Sequence, residues 1–294
     1  MNKQVTKKSM LSRFIPFIGS LAKRGIAGWL VIVGAVLVAG IVFMTTFSAY
    51  LTPHNPSAIH PENILLPPSA QFPLGTNDLG QDMLSRVIAG GSTMLQVAVL
   101  SVFICVVLGV PMGLFASYVG GVADRLFCLV MDSAYAFPGL VLAIAISAML
   151  GTGVVNMALS IGVVYVPSYF RVIRSQVLSI KEMVYVEAAK TAGAKRRTIL
   201  FKYILPNVVP SIVVVATVNF ADAILTAAGL TFVGLGVSID IPDWGWDLTN
   251  GRRLLLSGNW WVITFPGIMI ILLALGFTFM GEGLSEILNP RLEQ

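Results

Sequence analysis

Charge is what this sequence has least of. Only 11% of its 294 residues are charged, against about 25% in an average soluble domain, and residues 26–51, 94–116, 154–170 and 261–281 carry none at all. Cysteine is nearly absent too. Cys105 and Cys128 are the only two, without metal-ligand spacing or a disulfide framework, and read as small core residues. Histidine is limited to His54 and His60. They lie six apart among prolines, outside any HExxH context and without an evident third ligand, so solvated loop residues are the better reading and no metal site is expected. There is no GxxxxGK[ST] run to cradle a nucleotide and no GxSxG nucleophile elbow. These absences argue against an enzyme, soluble or intramembrane, and no cofactor is expected on this chain.

What remains is apolar: 56% of the residues are hydrophobic. A helix needs about 20 apolar residues to cross a hydrocarbon core of about 30 Å. The four uncharged runs qualify, with 154–170 short, and two more contain a single acid each: 126–150 with Asp132 and 206–228 with Asp222. All six are expected to be helical, because a chain in lipid must satisfy its own backbone hydrogen bonds. The runs are continuous rather than alternating, which excludes a β-barrel. The first run, 26 residues long, exceeds the 7–15 of a signal peptide core and predicts an uncleaved anchor.

Lysine and arginine set the orientation. The arm 1–25 holds Lys3, Lys7, Lys8, Arg13, Lys23 and Arg24 with no acid. With that arm in the cytoplasm, alternation places sixteen of the nineteen basic residues inside and leaves Arg86, Arg252 and Arg253 outside. The net charge of +5 is then a matter of topology. Without an interleaved aromatic platform it does not indicate nucleic acid. Both termini are expected in the cytoplasm, with 52–93 and 229–260 outside. The chain divides into a basic arm (1–25), a first transmembrane helix (26–51), a Pro-rich external segment (52–93) and a core (94–290) of five further helices. Within the external segment, Thr76, Asn77 or Asp78 is expected to cap a helix beginning near Leu79, either as a turn into the second span or as part of a docking surface.

The loop 171–205 is too charged for the bilayer, yet it carries small residues that a solvated loop does not need. Glu187, Ala188, Ala189, Lys190, Thr191, Ala192 and Gly193 lead, nine residues on, to Tyr203, Ile204, Leu205 and Pro206. Alanines at 188 and 189 permit a partner's backbone to approach closely, Met183 to Val186 supply apolar contact, and Gly193 allows a sharp turn. Pro206 is expected to start the next span. An interfacial amphipathic helix would share this composition; the full spacing between two spans favours a surface made to be gripped. Glu187 has two candidate partners, a cation on another chain or Lys190. Lys195, Arg196 and Arg197 read as topology and headgroup charges.

This loop resembles the EAA signature of ABC-importer permeases, and other stretches extend the likeness. Phe72 to Arg86 resembles the F/HPLGTDxLGRDxLSR stretch of the dipeptide/oligopeptide/nickel permease family, with Gln81 in place of the usual arginine. Residues 132–144 resemble its third span, and Leu230 to Gly236 its LSFLGLG stretch. Asp243-Trp244-Gly245, Phe265-Pro266-Gly267, Gly281-Glu282-Gly283-Leu284 and Leu288-Asn289-Pro290-Arg291 come next in family order. The chain is similar to the second, C-type membrane subunit of that family. The resemblance implies an all-α integral membrane protein with six transmembrane helices in the type I ABC-importer permease fold, in a bacterial or archaeal cytoplasmic membrane. It also implies two short coupling helices seated in an ATPase, a homologous permease partner forming a heterodimer, two ATPases carrying ATP and Mg, and an extracytoplasmic substrate-binding protein. Peptide is the first substrate implied, nickel or a metal–chelator complex the second.

Two intramembrane acids are candidate pathway or gating residues. Asp132 lies near the cytoplasmic end of its span, where helix pairing or snorkelling competes with gating. Asp222 departs from the family, whose acid falls at the position of Ala227. It lines a pathway or pairs with a cation, and a proton-coupled secondary transporter, which would use internal repeats, would carry such an acid as well. Gly109 and Gly113 have the spacing of close helix contact, and Pro111, Pro138 and Pro210 are candidate kinks.

Overall fold

The computed structural model describes residue 21 and residues 24–288. The basic residues of the arm before Arg24, and Asn289, Pro290 and Arg291, lie outside the described residues. All regular structure among the described residues is helical. Helix α1 spans Gly25–Thr46, α2 Met83–Val119, α3 Gly121–Tyr135, α4 Gly139–Leu150 and α5 Val154–Ile180. A short α6, Val184–Thr191, leads to α7, Arg196–Phe232; then come α8, Trp244–Leu254, and α9, Trp261–Leu288.

Five of these helices, α1, α2, α5, α7 and α9, are long and apolar enough to cross a membrane, and α3 with α4 makes the sixth crossing if taken as one bent span. The expected single span 126–150 is therefore corrected. It is two helices meeting at 90°. Pro138 explains the break: it lacks the N–H that would continue the helix, and instead stands as the N-cap residue of α4. Pro111 and Pro210, by contrast, lie inside α2 and α7.

The expected helix near Leu79 is also corrected. The Asn77 side chain accepts from the N–H groups of Leu79 and Gln81 at 3.0 and 2.9 Å, making a turn, and Gly80 has a positive φ of 71° that ends any helix there. The helix starts at Met83, where Asp82 accepts from the N–H groups of Leu84 and Ser85.

The most extensive helix pair is α2 against α5. It depends on Gly109 and Gly113. A Cβ on Gly109 would stand 2.7 Å from the Cβ of Tyr169 and 2.9 Å from the Val166 carbonyl oxygen. One on Gly113 would stand 2.9 Å from the Cβ of Ile173 and 3.0 Å from the Phe170 carbonyl oxygen. The two glycines give the backbones room to approach. Cys105 continues the seam, donating to the Gly162 carbonyl at 3.2 Å. Both cysteines are free thiols, Cys105 buried and Cys128 half-buried. Elsewhere Phe220 of α7 stacks on Phe277 of α9, with ring centroids 4.7 Å apart, and Val33, Val36, Phe103, Val107 and Ile271 stay exposed on the outer surface of the helices.

Replacing Gly113 with leucine should wedge the seam apart and cost about 1–3 kcal/mol. This is read as a lower unfolding midpoint in detergent, with Gly139→Leu, beside a single Val164 methyl contact at 3.3 Å, losing less.

Candidate functional site

The loop 181–205 is a folded element. Helix α6 starts after Met183 and buries Val186 and Ala189, while Glu187 and Ala188 face solvent. Val186 enters a cluster with Val177, Ile180, Ile199, Ile204 and Val208, joining the ends of α5 and α7. Of the two alanines, then, Ala188 is open to a partner and Ala189 is taken up by the chain's own core. Helix α6 ends in a Schellman arrangement: Gly193 N–H donates to the Lys190 carbonyl at 3.0 Å and Ala194 N–H to the Ala189 carbonyl at 3.0 Å. That geometry needs φ of +78° at Gly193, which a side chain resists although the space around it is open.

The expected second short helix is corrected. Beyond Gly193 come the first turns of α7, continuous from Arg196 to Phe232, with Leu205 half-buried behind the turn. Pro206 stands, as expected, in the first turn of the regular α-helical stretch Leu205–Phe232. It stands just after a π-helical turn at Ile199–Ile204, where its missing N–H would have met the Lys202 carbonyl. The neighbouring Tyr203 carbonyl takes the Asn207 side-chain amide at 2.7 Å, and that amide also reaches the Tyr185 hydroxyl at 3.2 Å, tying α6 to α7. The outward face is apolar where charge was plentiful: Val184 is 83% exposed and Phe201 61%. Among the described residues Glu187 forms no ion pair, and Lys190 Nζ donates to the Lys181 carbonyl instead.

The intramembrane acids differ. Asp132 Oδ1 accepts from Arg171 Nη2 at 2.8 Å, and the Arg171 guanidinium lies 4.1 Å from the centre of the Tyr135 ring. Two turns earlier Asp124 receives two hydrogen bonds from Arg174, both at 2.7 Å. Asp132 thus helps to tie α3 to α5, a helix-pairing contact. Asp222 is half-buried on α7 and has no ion-pair partner among the described residues. One turn on, Thr226 meets the Tyr165 hydroxyl at 2.9 Å.

A second constellation brings together residues that the sequence showed only as separate stretches, the Phe72 to Arg86 segment and the region of Trp244. Arg86 and Asp247 are fully buried and paired at 2.7 Å. Arg86 Nη1 also donates to Gln81 Oε1 at 2.9 Å, so the glutamine standing at the family's arginine position becomes an acceptor for this cation. The Trp244 indole N–H donates to the Val87 carbonyl at 2.8 Å, packed over Gly90 and Gly91. Trp261 reaches the Thr76 carbonyl at 3.0 Å and Thr93 the Pro242 carbonyl at 2.9 Å. Asn250 bonds Asp78. The Pro-rich segment and the α8 region therefore form one cap at one end of the helices. His54 belongs to it, its Nδ1 3.3 Å from Asp82 Oδ2, rather than being a merely solvated loop residue. No group of three or more metal-ligating side chains occurs among the described residues. The available signal was charge scarcity: an arginine and two aspartates beside tryptophans, on the side with few charges.

An all-helical chain with this bent span and a short helix seated between two spans has the type I ABC permease fold. The inward-facing crystal structure of the MetNI methionine ABC transporter matches it at TM-score 0.57 and 18% identity, over 70% of this chain and 98% of that one. Residues 109–294 match the family of binding-protein-dependent transport system inner membrane components, and the chain belongs to it. The dipeptide transport permease DppC of Alkalihalophilus pseudofirmus is 39% identical, over 90% of this chain and 86% of that protein. The probable D,D-dipeptide permease DdpC of Escherichia coli is 37% identical over 89% and 88%. The glutathione permease GsiD of Pectobacterium atrosepticum is 37% identical over 77% and 75%.

Asp243 gives the cap a pH dependence. Its Oδ1 caps α8 through the Trp246 N–H at 2.8 Å. Burial, reinforced by the Asp247 charge and opposed by the Trp246 hydrogen bond and by Arg86, pushes its carboxyl up to about 7 from an ordinary 3.8. Between those values the folded cap holds a proton that the unfolded chain has released, so stability falls as pH rises from about 4 to about 7 and is level above. The protection factors of the α8 amides, which remove the intrinsic rise of exchange with pH, should therefore fall across that window. Asp243→Asn, which keeps the capping oxygen, should flatten the profile.

Proposed function

We propose that this chain is one of two homologous membrane subunits of an ATP-driven importer of peptides and has no catalytic activity of its own. The observation that carries this reading is α6: fixed to α5 and α7 by Val186 and Ala189, open to solvent at Glu187 and Ala188, and flanked by exposed Val184 and Phe201. Two cytoplasmic ATPases, holding ATP and Mg, grip this face. Their closure moves α6 as a rigid handle, and the tilt passes into α5 and α7 and opens the pathway to an external substrate-binding protein. Hydrolysis resets the inward-facing state. The permease needs no tight substrate site, because a switch requires only that ligands bind its two states unequally. The peptide names of the three relatives favour peptide over nickel. Asp222, half-buried and without a partner among the described residues, is suited to line the pathway or to meet a cation of the companion subunit.

Gly193→Asp and Glu187→Lys should leave the protein inserted yet loosen ATPase co-purification and abolish substrate-stimulated hydrolysis in reconstituted vesicles. Lys195→Ala should have a mild effect. Retention of both properties by the first two variants, with transport lost, would remove α6 from the coupling role. Orientation is tested separately: cysteines at Ser57 and Arg196 should label from opposite faces of the membrane.

A further inference from the structure

Beside α6 lies a cavity of about 340 Å³. Its walls bring together Lys181 from the end of α5, Lys190 from α6 and Arg196 from the start of α7, closed by Tyr118 and Val119 at the end of α2. No acid lines it. None of the three cations has an ion-pair partner among the described residues. The two ammonium groups make only long contacts to carbonyls: Lys181 to Ser117 and Lys190 to Lys181, each at 3.4 Å. Three like charges facing one cavity repel one another until an anion enters.

We propose that this cavity binds the phosphate of an anionic phospholipid headgroup. The phosphate would accept from Lys181 Nζ, Lys190 Nζ and the Arg196 guanidinium, with the Tyr118 hydroxyl as a further donor. Basic pockets between helices on the cytoplasmic side are suited to such headgroups. The adjoining surface points to a lipid rather than a free phosphate. Phe115 and Val119 on the last turns of α2, and Val122 at the start of α3, are 54%, 50% and 71% exposed, an apolar strip leading from the cavity mouth along which acyl chains can lie. Since Lys190 belongs to α6, a bound lipid would tie the handle to the membrane surface. The inference rests on the membrane fold and not on peptide as substrate.

The test uses the complete transporter in detergent, titrated with phosphatidylglycerol, phosphatidylcholine or inorganic phosphate, with bound lipid counted by native mass spectrometry. Phosphatidylglycerol should be retained and phosphatidylcholine not, and millimolar phosphate should fail to displace the lipid. The double variant Lys190→Gln/Arg196→Gln should weaken retention roughly ten- to thirtyfold, the strength of two basic residues at an anionic surface. Lys190→Arg/Arg196→Lys, which keeps the charges and guards against a folding defect, should retain it. Arg197→Gln/Lys202→Gln removes the same charge outside the cavity and should lose far less. Equal losses in the two glutamine pairs would reduce the effect to diffuse surface attraction and overturn the site. Displacement by inorganic phosphate would overturn the lipid assignment. Unchanged lipid binding with loss of ATPase from the first pair would assign the cations to the protein partner and overturn the proposal.

Discussion

The structure depends on how closely α2 lies along α5. Gly109 and Gly113 set that distance, because a single Cβ at either would collide with backbone or Cβ atoms of α5. At its C-terminal end α5 carries Val177 and Ile180 into the cluster that holds α6. At the other end Gly153 N–H donates to the Gly236 carbonyl at 3.0 Å, linking α5 to the segment that leads to α8. On α2, the first turns supply Arg86, Val87, Gly90 and Gly91 to the cap. Without hydrophobic attraction between helices in lipid, such contact relies on packing of small residues.

The cap and the coupling helix use different physics for the same end. In the cap, a buried ion pair and tryptophan N–H groups fix a segment whose apolar cluster, centred on Met83, Trp261 and Val262, is small. A buried pair of this kind is weak evidence of net stability, yet removal of one partner leaves a costly charge behind. At α6, a few apolar side chains and one left-handed glycine suffice, because the helix is short and rests on the ends of α5 and α7. Its outward face sets exposed Val184 beside Glu187 and Ala188.

The sequence reveals the spans well because lipid imposes one rule on every residue within it: 26–51, 94–116, 206–228 and 261–281 all fall within helices or their last turns. Helix ends were less legible. Residues 154–170 underestimated α5 by ten residues, because Arg171 and Arg174 look like a loop until their partners Asp132 and Asp124 are seen. Pro138 was legible as a candidate kink, but the sequence did not separate it from Pro111 and Pro210, which stay inside their helices, or show that the bend reaches 90°. In the candidate site, the turn at Gly193 could be read from the residue itself. The inward direction of Ala189 could not, since Ala188 and Ala189 are identical in sequence and separated only by the step of about 100° between successive helical positions. The Arg86–Asp247 pair joins residues 161 positions apart, and no local pattern signals it.

The central claim is that α6 moves with α5 and α7 as one body. Spin labels placed at Val184→Cys on α6 and Phe201→Cys on α7, both exposed and on either side of the Gly193 turn, measure it directly in the assembled transporter. The distance between them should be the same without nucleotide and with ATP trapped, while each label shifts relative to one on the ATPase. A change in the Val184–Phe201 distance between the two states would mean that α6 hinges on its own, and the account of force transmission would be wrong.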